Sequence, residues 1–131
     1  MPLYWTIDSK KRLFKGSGKG VVTFADAMAL LDALAGAKAV PYRKLFDGRA
    51  VLSSMTGEEL LAVCAKIRSY HDQARVGALA MVATPEQTEA FGRLLGALAS
   101  AERPMRVFAG LRQARTWLNR QISTRVEPRE H

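Results

Sequence analysis

Cysteine and histidine are scarce in this chain of 131 residues, which contains one cysteine, Cys64, and two histidines, His71 and His131. A single cysteine excludes an intrachain disulfide and a metal cluster held by several thiolates. Two histidines, one of them the last residue, do not provide a histidine-based catalytic set. Cys64 falls on the apolar stripe of a predicted helix, so we interpret it as a small buried residue rather than a nucleophile.

Long apolar runs are also absent. No stretch approaches the roughly 20 apolar residues that a membrane-spanning helix requires, so stable membrane insertion is not expected. The first eight residues contain no basic segment followed by an apolar core, which predicts a cytoplasmic protein without a secretory signal. With 48% hydrophobic residues, a chain of this length is expected to form one globular domain around a single core.

Positive charge, in contrast, is plentiful. The formal net charge is +8, from 20 Lys and Arg against 12 Asp and Glu, so nucleic acid or anionic lipid has to be considered as a partner. Acidic residues are interspersed through the middle of the chain, which favours a solvated basic surface over a nucleic-acid groove. Nucleic acid is therefore not the expected partner. The densest group of cations lies around the first predicted turn and comprises Lys10, Lys11, Arg12, Lys15 and Lys19.

The hydrophobic periodicity alternates between that of strands and that of helices. It predicts strands at residues 3–7, 13–15, 42–47, 77–83 and 105–109, and helices that begin after Thr23, Thr56, Thr84 and Gly110. This order predicts an α/β layered domain over residues 1–122, with a mixed, mostly parallel five-stranded sheet and about four helices. Residues 123–131 are polar and charged and are predicted to form a flexible tail. The third helix has a predicted buried stripe of Phe91, Leu94, Leu95 and Leu98.

The glycine-rich segment 16–20 invites comparison with a phosphate-binding loop. Such a loop needs Gly, four residues, and then Gly-Lys-Ser/Thr leading directly into a helix. Here Gly18 and Lys19 are followed by Gly20 and two valines. We therefore interpret the segment as a structural turn or a flexible strand end.

The start of the second helix is the best functional clue in the sequence. Thr56 and Glu59 fit a capping box, in which the threonine hydroxyl accepts from the third helical N–H and the glutamate reaches back to the cap. A helix start gathers unpaired N–H groups and partial positive charge, so an anion or a phosphate on Thr56 would be best tolerated there. The candidate phosphorylation or anion site comprises Ser53, Ser54, Thr56 and Gly57.

A second candidate surface is the edge of the sheet at the carboxyl ends of its strands, where ligands of open α/β sheets bind. The third predicted strand ends at Asp47, and Thr84 follows the fourth strand. Both segments, 47–56 and 84–87, are therefore predicted to lie on one rim. The candidate partner-binding residues on this rim are Asp47, Arg49 and Thr84.

Several short motifs together resemble the SpoIIAA-like proteins. They are GVVTFAD at 20–26, KLFDGR at 44–49, AMVA at 80–83, VF at 107–108 and ARTWL at 114–118. The resemblance covers residues 3–120 and implies a STAS-type sheet, the fold of bacterial anti-sigma factor antagonists. That fold is also similar to the lipid-binding domain of Sec14-like proteins.

The same resemblance implies a role for Thr56. In the antagonists, a Ser or Thr before a Gly at the start of the second main helix is phosphorylated by a partner kinase, and Thr56-Gly57 stands at the matching place. The acidic residue that precedes the hydroxyl pair in the antagonists is missing, since the chain has Ser54-Met55 there. A plain helix cap also explains the threonine.

Two functions remain open at this level. The first is a non-catalytic regulatory module that docks a protein partner, of the regulatory-kinase or anti-sigma-factor type, through the rim around the second helix start. The alternative is a small pocket for a lipid or other apolar anion. An enzyme is not expected, because the chain offers neither a nucleophile paired with a base nor a metal set, and no cofactor is predicted. A homodimer is left open.

Overall fold

A computed structural model of the chain describes residues 2–73, 76–90 and 104–126. Strands and helices follow one another there in the predicted order. The elements are β1 (Leu3–Asp8), β2 (Leu13–Val22), α1 (Phe24–Gly36), β3 (Arg43–Ser53), α2 (Gly57–Gln73), β4 (Leu79–Val82), α3 (Pro85–Ala90), β5 (Met105–Phe108) and α4 (Leu111–Val126).

The strands of these residues form one five-stranded sheet in the order β1-β2-β3-β4-β5. β1 pairs antiparallel with β2, whereas the other three neighbouring pairs are parallel. The turn between β1 and β2 is closed by Asp8, whose Oδ1 accepts from the backbone N–H of Lys11 at 3.0 Å. The predicted α/β class, with a mixed, mostly parallel sheet, is confirmed.

The glycine-rich segment 16–20 lies inside β2, so its interpretation as a turn or a flexible strand end is wrong. Along β2 buried and exposed positions alternate, and Gly16 and Gly18 occupy the inner face. A Cβ at Gly16 would meet the ring of Phe46 at 2.9 Å, and one at Gly18 would overlap the side chain of Val51. The glycines make room for these neighbours, because a strand position without a side chain lets other groups approach closely.

The predicted end of β3 at Asp47 is also wrong, since the strand continues to Ser53. Its pairing with β4 stops at Asp47, but pairing with β2 continues to Ser53. Between these two parts the register shifts: Ser17 opposes Asp47, and Lys19 opposes Ala50. β3 thus contains one extra residue, a β-bulge that re-aims the strand beyond Gly48. The result is a two-stranded arm, formed by the ends of β2 and β3, that extends past the rest of the sheet.

The helices form layers on both faces of the sheet, because successive strand residues point to opposite faces. Leu45 of β3 packs with Ala114 and Leu118 of α4. Its neighbours Lys44 and Phe46 lie with residues of α1 and α2 around a cavity on the other face. The core on the α4 face consists of Leu45, Ala78, Ala80, Val82, Ala114 and Leu118. The core on the α1/α2 face consists of Phe14, Leu34, Ala39, Val40, Tyr42 and Val76.

Some of the predicted features involve residues at the ends of the described ranges or outside them. α4 continues to Val126, past the predicted domain end at 122, and residues 127–131 of the predicted tail are outside the described residues. The stripe predicted for the third helix, Phe91, Leu94, Leu95 and Leu98, also lies outside them, as does His131.

Candidate functional site

The start of α2 has the predicted capping box. Thr56 Oγ1 accepts from the backbone N–H of Glu59 at 3.1 Å, and Glu59 Oε1 accepts from the N–H of Thr56 at 2.9 Å. This reciprocal pair satisfies two donors that a helix start would otherwise leave unpaired. The Thr56 hydroxyl therefore has a structural role, and a phosphate placed on it would lie beside the carboxylates of Glu58 and Glu59.

The other hydroxyls of this candidate site are engaged locally. Ser53 Oγ accepts from the N–H of Met55 at 3.2 Å, and Ser54 Oγ donates to the carbonyl of Val22 at 3.3 Å. A Cβ at Gly57 would meet nothing within 4 Å, so the first turn of α2 is open to solvent. The structure thus shows a solvated helix start whose hydroxyls hold the loop in place.

The rim predicted from the strand ends is present, and one side chain joins its two segments. Thr84 and Gln87 form a further capping box at the start of α3, with bonds of 2.8 and 3.1 Å. Gln87 Nε2 donates to the carbonyls of Gly48 at 2.8 Å and Val51 at 3.2 Å. These carbonyls belong to the part of β3 that extends beyond its pairing with β4. Gln87 therefore ties segment 84–87 to the β3 arm.

Asp47 and Arg49 form an ion pair on this rim. Arg49 Nη2 and Nε lie 2.9 and 3.0 Å from the two carboxylate oxygens of Asp47, and the Arg49 N–H donates to Oδ1 at 3.1 Å. The hydrogen bond from the Arg49 side chain holds the pKa of Asp47 below its usual value, although partial burial opposes this. The structure thus brings Asp47 and Arg49 together as an ion pair. Because each side chain already has the other as its partner, neither is readily available to bind a third group.

The sequence left open a small pocket for a lipid or other apolar anion, and a cavity of about 290 Å³ lies between the sheet and the pair α1 and α2. Its walls are apolar side chains from both layers. On the helix side, Tyr70 Oη donates to the carbonyl of Leu31 at 3.2 Å, and Lys66 of α2 forms an ion pair of 2.6 Å with Asp32 of α1. The two helices are thus fastened to each other above the cavity. Residues that line it include Phe14, Leu30, Phe46, Val51, Val63 and Ile67.

Lys44 is the charged residue among the described residues that line the cavity. It is 5% exposed, and its Nζ donates to the carbonyls of Val40 at 2.5 Å and Tyr42 at 2.8 Å. A buried ammonium is retained only where hydrogen bonds offset its lost hydration. Sequence reasoning placed Lys44 within a family motif and assigned it no role. The only sequence feature that marked Lys44 was its position in a predicted strand that also contains Tyr42, Leu45 and Phe46.

Within the described ranges, no cluster of three or more His, Cys, Asp or Glu could hold a metal ion. Cys64 is 4% exposed, as predicted, and burial raises the pKa of its thiol, so the thiolate that a nucleophile needs is disfavoured. Of the helices described, none has both the length and the apolarity to cross a bilayer.

The sheet order and helix layers define the class of fold, which is SpoIIAA-like. A solved structure aligns with 88% of this chain and 93% of its own at a TM-score of 0.63 and 16% sequence identity. It is an uncharacterised DUF3478-family protein with a SpoIIAA-like fold from Shewanella loihica PV-4. The predicted resemblance is thereby confirmed for the fold. No protein-family model matches the sequence, and no curated protein does.

Proposed function

We propose that the protein is a non-catalytic binding protein whose cavity takes a small ligand that is apolar over most of its surface and anionic at one end. The observation that carries this proposal is the apolar cavity of about 290 Å³ between the sheet and helices α1 and α2. Its volume lies near the lower end of the range of roughly 300–1,000 Å³ for small-molecule sites. A medium-length acyl chain has the corresponding chemistry.

The energetics of filling such a space are substantial. At roughly 24 cal/mol per Å³ of cavity, an occupant that fills 290 Å³ gains up to about 7 kcal/mol, before the cost of association. The polar groups at the wall, Tyr70 Oη and Lys44 Nζ, already donate to backbone carbonyls. Apolar contact therefore supplies most of the affinity, and the positive charge of Lys44 favours an anionic end over a neutral one.

The test is a fluorescence titration with anilinonaphthalene sulfonate, followed by displacement with decanoate and with decanol. Ala27→Phe places a large side chain in the cavity, whereas Ala29→Phe adds the same side chain on the exposed side of α1. We expect Ala27→Phe to abolish probe binding and to raise the melting temperature, because the ring fills apolar space. Ala29→Phe should bind the probe as the parent protein does.

Two results would decide against the proposal: equal probe binding by Ala27→Phe and the parent, or no displacement by either ten-carbon compound. If Ala27→Phe does not fold, Val63→Leu makes a smaller addition to the same wall from α2. Tighter displacement by decanoate than by decanol, with the preference lost in Lys44→Met, supports the anionic end. Equal displacement by the two compounds would refute that part of the proposal alone.

Docking of a protein partner through the start of α2 is a second candidate, supported by one exposed side chain. Leu61, in the second turn of α2, is 58% exposed and follows the solvated Thr56. A photo-crosslinking residue at position 61 should give a discrete protein adduct that Thr56→Glu removes, whereas the same residue at the exposed Ala29 should not. Identical adducts from both positions, or none at position 61, would refute this candidate.

A further inference from the structure

Among the described residues, one face of the β1–β2 side of the sheet is exposed to solvent. On β2, Lys15, Ser17, Lys19 and Val21 are all exposed, while the residues between them point to the inner face. α4 packs mainly against β3, β4 and β5 on this side of the sheet, and Leu13 at the start of β2 packs against the same cluster, whereas the alternate residues of β2 from Lys15 onward are exposed. Residues opposite one another in register share a face. The open face, as we call it, therefore consists of Tyr4, Thr6, Lys15, Ser17, Lys19, Val21, Ala50 and Leu52.

The open face carries three large apolar side chains in solvent. Tyr4 is 57% exposed, Val21 54% and Leu52 65%. Val21 and Leu52 are direct register partners on the arm formed by β2 and β3, so they make one continuous apolar tip. Isolated apolar side chains on a surface are ordinary, but this paired tip shares its face with Tyr4, which lies opposite Ser17 about 13 Å back along β2, and Lys19 lies between them.

The charge around these side chains is positive. Lys15 and Lys19 lie on the open face itself, and Lys10 and Lys11 lie in the adjoining β1–β2 turn, whereas Arg12 of that turn lies over the ring of Tyr42 on the opposite face. The acidic groups on this side are Asp8, which accepts from the turn backbone, and Asp47, which is paired with Arg49. Cations therefore exceed free carboxylates here.

We propose that the open face docks onto an anionic membrane surface. Lysine side chains beside aliphatic groups and a tyrosine fit the boundary between lipid headgroups and acyl chains, where an aromatic ring with a polar tip is favoured. Anionic lipids attract each nearby Lys or Arg. A single-stranded nucleic acid would use several stacked aromatic rings, whereas the open face has one tyrosine and two aliphatic residues. A protein partner would use a pocket for an anchoring side chain, and no residue of the open face lines the cavity described above.

The proposal is tested by co-sedimentation with vesicles of phosphatidylglycerol and phosphatidylcholine in equal parts, compared with vesicles of phosphatidylcholine alone. We expect retention on the anionic vesicles only. Raising the ionic strength from about 0.1 M to about 1 M should weaken retention strongly, because the screening length falls from about 10 Å to about 3 Å. Equal retention on both vesicle types, or none on either, would overturn the proposal.

Matched variants locate the surface. Leu52→Glu and Lys19→Glu alter exposed positions of the open face, so they leave the core intact, and each should lower vesicle affinity about tenfold or more. Leu61→Glu and Arg68→Glu make the same changes at exposed positions of α2, on the other side of the sheet, and should bind as the parent does. Ala27→Phe, which blocks the cavity, should also bind vesicles normally.

Three other outcomes would overturn the assignment. Equal losses in the open-face and α2 variants would mean that net charge alone attracts the protein to vesicles. A dimer in solution that Leu52→Glu dissociates, without vesicle retention by the parent, would assign the face to a second copy of the chain. Binding of a short single-stranded RNA that Lys19→Glu abolishes, again without vesicle retention, would assign it to nucleic acid.

Discussion

The two faces of the central sheet are packed in different ways. On the α4 face, Ala78, Ala80 and Ala114 are fully buried, and the rings of Phe108 and Trp117 lie 5.7 Å apart in a tilted contact. Small residues on both layers let the helix come close to the sheet. On the other face, large side chains such as Phe14 and Phe46 surround a cavity of about 290 Å³.

The two faces of the sheet therefore differ in how closely their helices pack against it. The α4 face has the close packing that stabilises a fold, whereas α1 and α2 are joined to each other by Lys66–Asp32 and Tyr70–Leu31 above an unfilled space. The face with the cavity is therefore the one to which we assign the proposed ligand.

The largest effect is expected from shortening a leucine on each face. Leu118→Ala on α4 should lower the free energy of unfolding by about 4 kcal/mol, near the upper end for such changes, since Leu118 is 2% exposed in a filled core. Leu31→Ala, on the wall of the cavity, should cost about 2 kcal/mol, because fewer atoms contact the side chain there. Denaturant unfolding measures both. Equal losses would contradict the difference in packing.

The packing of the filled face was largely predictable, whereas the sequence left a pocket open only as an alternative and did not predict its size. The continuous apolar run of 77–83 and the helical stripe of Ala114, Trp117 and Leu118 indicate elements that pack together, and both are present. Periodicity reports which side of a helix is apolar, but not how far that side stands from the sheet. That distance depends on contacts between residues remote in sequence, such as Lys66 with Asp32.

The strands on the β1–β2 side illustrate a second limit of the sequence. The alternation along β2 is hidden because its inner positions include Gly16 and Gly18, whose partners are the ring of Phe46 and the side chain of Val51. The extension of β3 past Asp47 was not predicted, because the bulge interrupts the alternation of inward and outward side chains by which a strand is recognised in a sequence. The helix starts at Thr56 and Thr84, in contrast, depend on local patterns of four residues and were correctly predicted.

A second prediction concerns the buried lysine of the cavity. Lys44→Met keeps the length of the side chain but removes the donor to the carbonyls of Val40 and Tyr42, so the free energy of unfolding should fall by about 2 kcal/mol. The matched change Lys15→Met, on the exposed side of β2, should have little effect. Chemical unfolding of the two variants gives the comparison. A stability equal to that of the parent would show that Lys44 is dispensable to the fold.

The helix starts offer a third comparison. α1 and α2, which border the cavity, begin with capping boxes at Thr23 and Thr56, whereas α4 begins after Gly110, whose carbonyl accepts from Ala114. Thr56→Ala should therefore lower the free energy of unfolding by about 1 kcal/mol, and Thr56→Ser should leave it nearly unchanged. If both variants are equally destabilised, the hydroxyl is not the group that matters.

The smallest expected effect is that of the ion pair on the rim, and it depends on pH. Arg49 lowers the pKa of Asp47 in the folded protein, so the pair stabilises the fold at pH values above the ordinary carboxyl pKa of about 3.9. This contribution disappears as the pH falls through the lower folded value, because both states then hold the proton. Since the pair is partly exposed, Asp47→Asn should cost less than about 1 kcal/mol at neutral pH. The difference between Asp47→Asn and the parent should shrink to zero in acid, as measured by thermal unfolding across the acidic range. A difference that persists at the acidic end would mean that the Asp47 side chain stabilises the rim through packing or hydrogen bonds that do not require its charge.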